Sequence, residues 1–544
     1  MVLLGLGVPR AASAWDFKIK GQEFNLGVTN TLAYTYHFDN DENGGEVDED
    51  DKFHQFMNTL DVSLAHREFR LGGRFDLHLF ANTPFTQRCP GGANDPSWCA
   101  RRDRRYVNSF VPERVFLIVA RPDFDLTLGD FYVSFGKGLA LNVVKIDDLG
   151  QDTTIRGGKF VLHQWDLGLT FVAGEFNPLN LDEATGRKAP WAAEPMVGGR
   201  IEYRFFDRVL AGLHGVWVLT DDPNSPGAKK YTTDHDAIFG LSLEVPQLID
   251  GRLSLAAEVD LQRTVRLGEV VRGPGAAGDF KGLAAYATAT LQLGDLTLLS
   301  EFKYYDDFAL RAPGAVDEPY ALYYHQPPTL ERVNALVSDN LSVSGTRLRA
   351  DYNFGALGPV ELITYLSMGF FQSWGIPGLH RVFDPYAGFE LHWSEGKGHL
   401  NGIGGVRLEQ DREDGSTYTR DIHLDVDLEQ AIRGSHSVKL NALWQKRQRK
   451  GLFDAQNWNE MDLVLEYKWS PYLAAAFSYE RQEDPSVVME GHHYFGGTLK
   501  YFFTTSSFVS VRAGQNRPGL KCFNGMCRQY PAFAGLQAMV VGRF

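Results

Sequence analysis

The sequence predicts an all-β fold: a single large antiparallel transmembrane β-barrel with short periplasmic turns and long extracellular loops. Three observations carry this. Segments of about ten residues alternate charged and apolar side chains from one end of the chain to the other. No apolar run reaches the roughly 18 residues that a membrane-spanning helix needs. Aromatic residues are abundant, with 37 Phe, 22 Tyr and 10 Trp, as girdles at two membrane interfaces require.

The alternation is clearest in DIHLDVDLEQ, residues 421–430. As a helix it makes no sense, because residues two apart diverge by about 200° and the apolar side chains scatter. As a strand it separates into two faces. Asp421, His423, Asp425, Asp427 and Glu429 share one; Ile422, Leu424, Val426 and Leu428 share the other. The next segment, SVKLNALWQKR, has Lys439, Asn441, Gln445 and Arg447 on its polar face. Acidic and basic strands side by side predict a cross-strand charge ladder on a lumen wall, stabilising the barrel where a hydrophobic core cannot. RLRADYNF repeats the pattern, with Arg347, Arg349, Asp351 and Asn353 on one face. DLVLEYKW and RLSLAAEVDLQ repeat it again. A soluble sandwich also alternates, but 544 residues without a composition break exceed one ordinary sandwich.

An even barrel starts and ends in the periplasm, so turn lengths should alternate. A first strand over 25–38 leads into an acidic loop at 39–53, and the second ends in a tight turn near Arg70. The third enters a long cysteine loop, 82–111; the fourth ends at Arg121-Pro122-Asp123. Short turns follow near Asp207, Ile249-Asp250-Gly251, Gly294-Asp295, Gly355 to Gly358, Glu395 to Gly398, Gly434 and Ser470-Pro471. Long loops separate them, the largest at 306–342. Parity gives about 24 strands if 136–152 is a loop, and 26 if it is a further hairpin. The last segment, AFAGLQAMVVGRF, sets Leu536, Ala538, Val540 and Phe544 on one apolar face. Outer-membrane barrels commonly finish so, and the barrel assembly machinery recognises that strand.

Residues 1–14 resemble a secretory signal, with a short apolar run and Ala12-Ser13-Ala14 as an A-x-A site before Trp15. The basic n-region is missing, which points to a start upstream; the alternative is a chance apolar tip. On this reading residues 15–544 form the barrel. Four cysteines fall in two close pairs, Cys89 with Cys99 and Cys522 with Cys527, and read as two loop disulfides. A zinc site would need both loops to meet and lacks C-x-x-C spacing. No C-x-x-C-H occurs, so the chain itself carries no c-type haem. A net charge of −14 argues against a nucleic-acid partner.

GDFYVSFGKGLALNVVKIDDLGQDTTIRGGKF spans Gly129 to Phe160. It resembles a largely uncharacterised family of bacterial outer-membrane barrels with G-D-F-Y, F-G-x-G-L and L-G-x-x-x-x-x-R-G. The matching residues are Gly129, Asp130, Phe131, Tyr132, Phe135, Gly136, Gly138, Leu139, Leu149, Gly150, Arg156 and Gly157. The resemblance implies the fold and an outer-membrane location, and it supplies no substrate or reaction. Physically, Gly136 and Gly138 allow the chain to bend off the wall after Phe135. Asp147, Asp148 and Asp152 would then meet Arg156 inside the barrel as a constriction. The alternative is a bulged outer rim.

DNDENGGEVDED matches calcium-loop spacing: Asp39, Asp41 and Asn43 would supply oxygens, and Asp50 the last carboxylate. The plainer reading is a solvated acidic loop, leaving structural calcium as the one candidate cofactor. RRDRR, Arg101 to Arg105, could grip lipopolysaccharide phosphates, line the pore mouth or pair with that acidic loop. His423 among acids is a metal candidate or a hydrogen-bonded wall histidine. No Ser-His-Asp set or carboxylate pair stands out among so many lumen charges, so no enzyme is expected. About 24 strands left open would leak. Three functions remain: a porin-like channel narrowed by its own loops for small solutes or ions; a sheath around a separate multihaem cytochrome; or a surface or secretion-linked scaffold. Long loops favour the channel.

Overall fold

In a computed structural model of the chain, the alternating segments pair edge to edge and the first joins the last. The structure describes residues 15–38, 52–82, 108–146, 151–176, 181–182, 187–188, 194–219, 235–266, 278–308, 324–325, 328–330, 342–374, 380–412, 415–450, 455–483, 492–517, 519–523, 526–530 and 533–544. Each wall strand pairs antiparallel with the next, from Gln22–His37 round to Phe533–Arg543. These two pair with each other from Thr29↔Arg543 to His37↔Gly535, which closes the ring. The sheet holds 25 strands, but Trp15–Ile19 pairs only with the start of Gln22–His37. The closed barrel therefore has 24.

The expected count of 24 holds, and the 26-strand alternative fails. Val133–Phe135 pairs with Leu141–Val143, and Lys145–Ile146 with Gln151–Asp152, in two small sheets of their own. The wall passes them by: Phe124–Phe131 pairs directly with Ile155–Gln164. At one end the strands are joined by connections of two to five residues. The first of these falls at Arg67-Glu68, slightly before the expected Arg70. Two others, Trp165-Asp166 and 503–507, contain neither Gly nor Pro and escape a reading built on those residues.

Side chains sort by face as the alternation demands. Phe239 and Leu241 point outward and are 61% and 62% exposed, while Asp260 on the next strand points inward at 0%. A water-soluble fold would hide such rows; here they form a continuous apolar exterior, the architecture of a transmembrane barrel. Aromatic pairs gather where strands meet the short turns, including Tyr203 with Phe205, Tyr352 with Phe354, and Tyr501 with Phe503. That is where an interfacial belt belongs. Placing a charge mid-strand on this exterior, as in Leu241→Arg, should cost roughly 2–4 kcal/mol. Urea unfolding of the protein in lipid vesicles checks it.

The interior is not polar throughout. Phe135, Leu139, Leu141 and Val143 of the segment between Phe131 and Ile155 pack with inward-facing Val172, Met196, Val216 and Ile238 of the wall. Phe308, Tyr324 and Leu330, from the connection between Asp306 and Val343, join the same cluster. The barrel thus holds an apolar core of its own on one side. Each fully shielded Phe or Leu contributes on the order of 1.5–3 kcal/mol.

Candidate functional site

The in-folded segment starts earlier than its glycines suggest. The strand leaves the wall after Phe131, not Phe135, and returns at Ile155. Gly129 sits in the wall at φ +97°, where a Cβ would lie 2.0 Å from the Val115 carbonyl oxygen. Gly136 and Gly138, at φ +55° and +85°, instead form the tip of the inner hairpin, closed by the Gly138 amide donating to the Phe135 carbonyl at 2.9 Å.

Two polar clusters hold the root of the segment. Asp130, whose side chain is wholly buried, accepts from Arg156 Nε at 3.1 Å, from Arg156 Nη2 at 3.1 Å and from the Val115 amide at 2.7 Å. Contrary to expectation, Asp152 does not meet Arg156; it lies against Arg74 Nη1 at 3.3 Å and Arg114 Nη1 at 3.7 Å, and accepts from the Tyr132 hydroxyl. The reason is register: Asp130 is the residue directly opposite Arg156 across the wall pair. Asp147 and Asp148, with Leu149 and Gly150, lie outside the described residues. Removing one partner of a buried ion pair strands the other. Arg156→Ala is expected to cost about 3 kcal/mol or more, and Arg156→Lys to recover only part, because it cannot grip both oxygens. The midpoint of denaturant unfolding reads both.

The tip of the segment reaches a strand six places round the ring. The Lys137 amide donates to Glu258 Oε2 at 2.5 Å, and the Lys137 ammonium pairs with Glu244 at 2.9 Å. Both carboxylates belong to wall strands about a quarter of the way round the ring, His235–Leu248 and Leu253–Arg266. The segment thus lies along inward-facing side chains of successive wall strands, from its root to the strand that carries Glu258. The Asn142 amide donates to the Tyr324 carbonyl at 2.8 Å, and the Tyr324 ring stacks on Phe176 at 3.5 Å between centroids. Burial drives the Tyr324 phenol far above its usual pKa, and the charge of the neighbouring Glu194 carboxylate adds to the rise. It therefore stays protonated, as a donor. Beside the root of the segment lies a cavity of about 920 Å³, lined by Asp61, Arg74, Arg114, Tyr132, Lys159 and Arg543 among others.

On the opposite arc, ion pairs run between neighbouring strands. Asp427 receives Lys439 at 3.1 Å and Asn441 at 2.7 Å; Arg447 lies 3.8 Å from Asp421 and 3.1 Å from Glu460. Arg517 adds contacts to Glu460 at 2.9 Å and Asp462 at 3.0 Å. Arg349 pairs with Asp351 at 2.6 Å over the Tyr365 ring, and Arg347 pairs with Glu301. His423 faces inward and is buried on the wall, with Asp425 two residues on. The backbone sets Cys522 directly opposite Cys527 in a small hairpin, Gly519–Phe523 with Met526–Tyr530. Cys89, Cys99, the calcium-type loop Asp39, Asp41, Asn43 and Asp50, the Arg101 to Arg105 run and residues 1–14 lie outside the described residues.

Sequence reasoning missed several groups that only the fold brings together. Arg74 and Arg114 join Asp152 from strands far away in sequence. Among the described residues, two clusters have metal-ligand chemistry: Glu390 with His392 and His399, and His214 with Glu258 and Asp260. The first was open to reading, since two histidines face each other across the Ser394–Lys397 turn.

The geometry defines a closed 24-stranded antiparallel barrel, apolar outside, with one of its own segments packed along inward-facing side chains of its wall. The chain belongs to the family of unknown function DUF6029, whose model matches residues 8–179 and 408–544, more than half of it. That match takes in both the Gly129–Phe160 motif and the Asp421–Arg447 ladder. No curated protein matches the sequence. Among solved structures, it is similar to the P pilus usher (PapC) translocation pore at 7% identity and TM-score 0.41, covering 95% of this chain and 99% of the other. The siderophore receptor PirA from Pseudomonas aeruginosa gives 9% and 0.45, covering 95% and 80%. A BenF-like porin from Pseudomonas fluorescens gives 13% and 0.38, covering 75% and 96%. Likenesses this distant carry no substrate or role across.

Proposed function

We propose that the protein is an outer-membrane channel for small solutes or ions, narrowed from within by the segment around Val133–Val143 and by Phe308, Tyr324 and Leu330. The observation behind this reading is the docking of the Gly136–Lys137 tip on Glu258, six strands away from the segment's root. A segment anchored at both ends inside a barrel reduces its bore without sealing it. The ionised, half-buried side chains of the 417–469 arc then supply a wet surface along which ions pass. The apolar exterior and the aromatic belt at the turn end support an outer-membrane location. The lumen reading also bears on the sheath alternative, because the in-fold and its partner connection occupy space that an enclosed multihaem cytochrome would need.

Purified protein in planar bilayers tests this. Stepwise conductance is the expected result. An electrically silent barrel would sink the channel reading, and bound haem in the native preparation would favour the sheath. Sequencing the mature N-terminus tests processing before Trp15, and mass mapping without reductant tests Cys89 with Cys99 and Cys522 with Cys527.

A further inference from the structure

Under the tip of the in-folded segment, three ionisable side chains are shut away from solvent with their charges unbalanced. His214 comes from Val209–Leu219, and Glu258 and Asp260 from Leu253–Arg266, with His235–Leu248 between them. All three side chains are 0% exposed. His214 Nε2 lies 2.6 Å from Asp260 Oδ1 and 3.9 Å from Glu258 Oε1. Glycine on the middle strand makes the approach possible: a Cβ at Gly240 would come within 1.8 Å of Asp260 Oδ1 and 2.3 Å of His214 Nε2. The lid is glycine as well. A Cβ at Gly136 would stand 1.8 Å from Glu258 Oε2.

What remains is a deficit. His214 Nδ1, Glu258 Oε1 and Asp260 Oδ2 are buried without a hydrogen-bond partner. Lys137 sends its ammonium to Glu244 instead, and among the described residues no Lys or Arg forms an ion pair with Glu258 or Asp260. With both carboxylates ionised, the cluster keeps a net negative charge even when the imidazole is protonated, so it must take up either a further proton on a carboxyl or a cation. Burying uncompensated charge costs several kcal/mol per ion, and orphaned buried polar atoms of this kind mark a missing ion or water.

We propose that His214, Glu258 and Asp260 bind a divalent first-row transition metal ion of the zinc class. One imidazole nitrogen and two carboxylate oxygens, all within 4.8 Å of one another, form a nitrogen–oxygen donor set suited to it. The ion takes the place of the proton between His214 Nε2 and Asp260, cancels the two carboxylate charges and gives Glu258 Oε1 a partner. Glu258 is also the anchor of the Lys137 amide, so the metal fastens the wall to the in-fold. The assignment concerns the wall and its lid, and stands whether or not the barrel conducts.

Untagged protein, folded in micelles with Zn²⁺ and passed through a chelating column, is analysed for metal by mass spectrometry. One equivalent per chain is expected, and Co²⁺ in its place should give the visible bands of a four- or five-coordinate site. The near-isosteric double variant His214→Gln/Asp260→Asn should lose metal affinity roughly tenfold or more. The variant His392→Ala/His399→Ala, which removes the other cluster, should keep the equivalent. Wild-type protein without bound metal, or metal that vanishes with His392 and His399 instead, overturns the assignment. If the double variant fails to fold, the wild-type cobalt spectrum decides: no bands, or only those of a six-coordinate ion, also overturns it.

Discussion

Replacing residues 134–151 with a short Gly-Ser linker should raise single-channel conductance several-fold while leaving the barrel closed. Closure does not depend on the segment, because Phe124–Phe131 and Ile155–Gln164 pair without it and Phe131 lies directly opposite Ile155. A short linker therefore spans the gap with the wall ladder intact. Bore does depend on it. Barrels of about 16 to 18 strands already hold an open aqueous channel, and a ring of 24 is wider still. On the proposed reading, the cluster around Phe135, Leu139 and Leu141 keeps the lumen from that width. The excision also uncovers inward-facing Val172, Val216 and Ile238, so some loss of stability accompanies the gain in current. Planar-bilayer recordings on folded protein give the comparison. A folded barrel with unchanged unit conductance would mean that ions do not pass beside this segment, and the channel reading would lose its constriction.

The barrel was legible in the sequence because its rule is local. A strand such as Asp421 to Gln430 states both its faces without reference to any other part of the chain, and Leu424 is indeed outward while His423 is buried inside. Turn parity extends that rule round the ring, so 24 strands followed once 136–152 was taken as an excursion. The site was only half legible. Glycines announced that Gly129–Gly138 does something unusual, and Asp130 and Arg156 were singled out, but not as each other's partner. Partnership depends on register, and register is set by pairing between segments. The far anchors were wholly hidden. Nothing near Lys137 in sequence names Glu258, and nothing near Asp152 names Arg74. The apolar interior was hidden for a related reason: Val216 and Val218 alternate with outward Trp217, so beyond His214 both faces of that strand are apolar and its inward side shows no charge to read.

The largest effect on folding is expected at one of the motif glycines in the wall. Gly129→Val should abolish the closed barrel, whereas Gly294→Ala, also at positive φ, should cost only about 1–2 kcal/mol. Both positions strain an L-residue, at φ +97° and +61°. They differ in their surroundings. A Cβ at Gly294 meets nothing within 4 Å, because the turn faces open space. A Cβ at Gly129 lies 2.0 Å from the Val115 carbonyl oxygen and 3.1 Å from the Phe116 Cα. Those are backbone atoms of the neighbouring strand, fixed by the register that pairs Phe116 with Gly129 and Gly129 with Gly157 on the other side. No rotamer change relieves such a clash; the strand must move away, and it can do so only by opening the ladder at the residue before Asp130. Losing that register also pulls Asp130 from Arg156 and from the Val115 amide, so the in-fold loses its root in the same event. The folded fraction after dilution from urea into micelles, read on unheated gels, distinguishes the two variants. Wild-type yield for Gly129→Val would show that the wall can shift there, and that the ladder on either side of this glycine is softer than its packing implies.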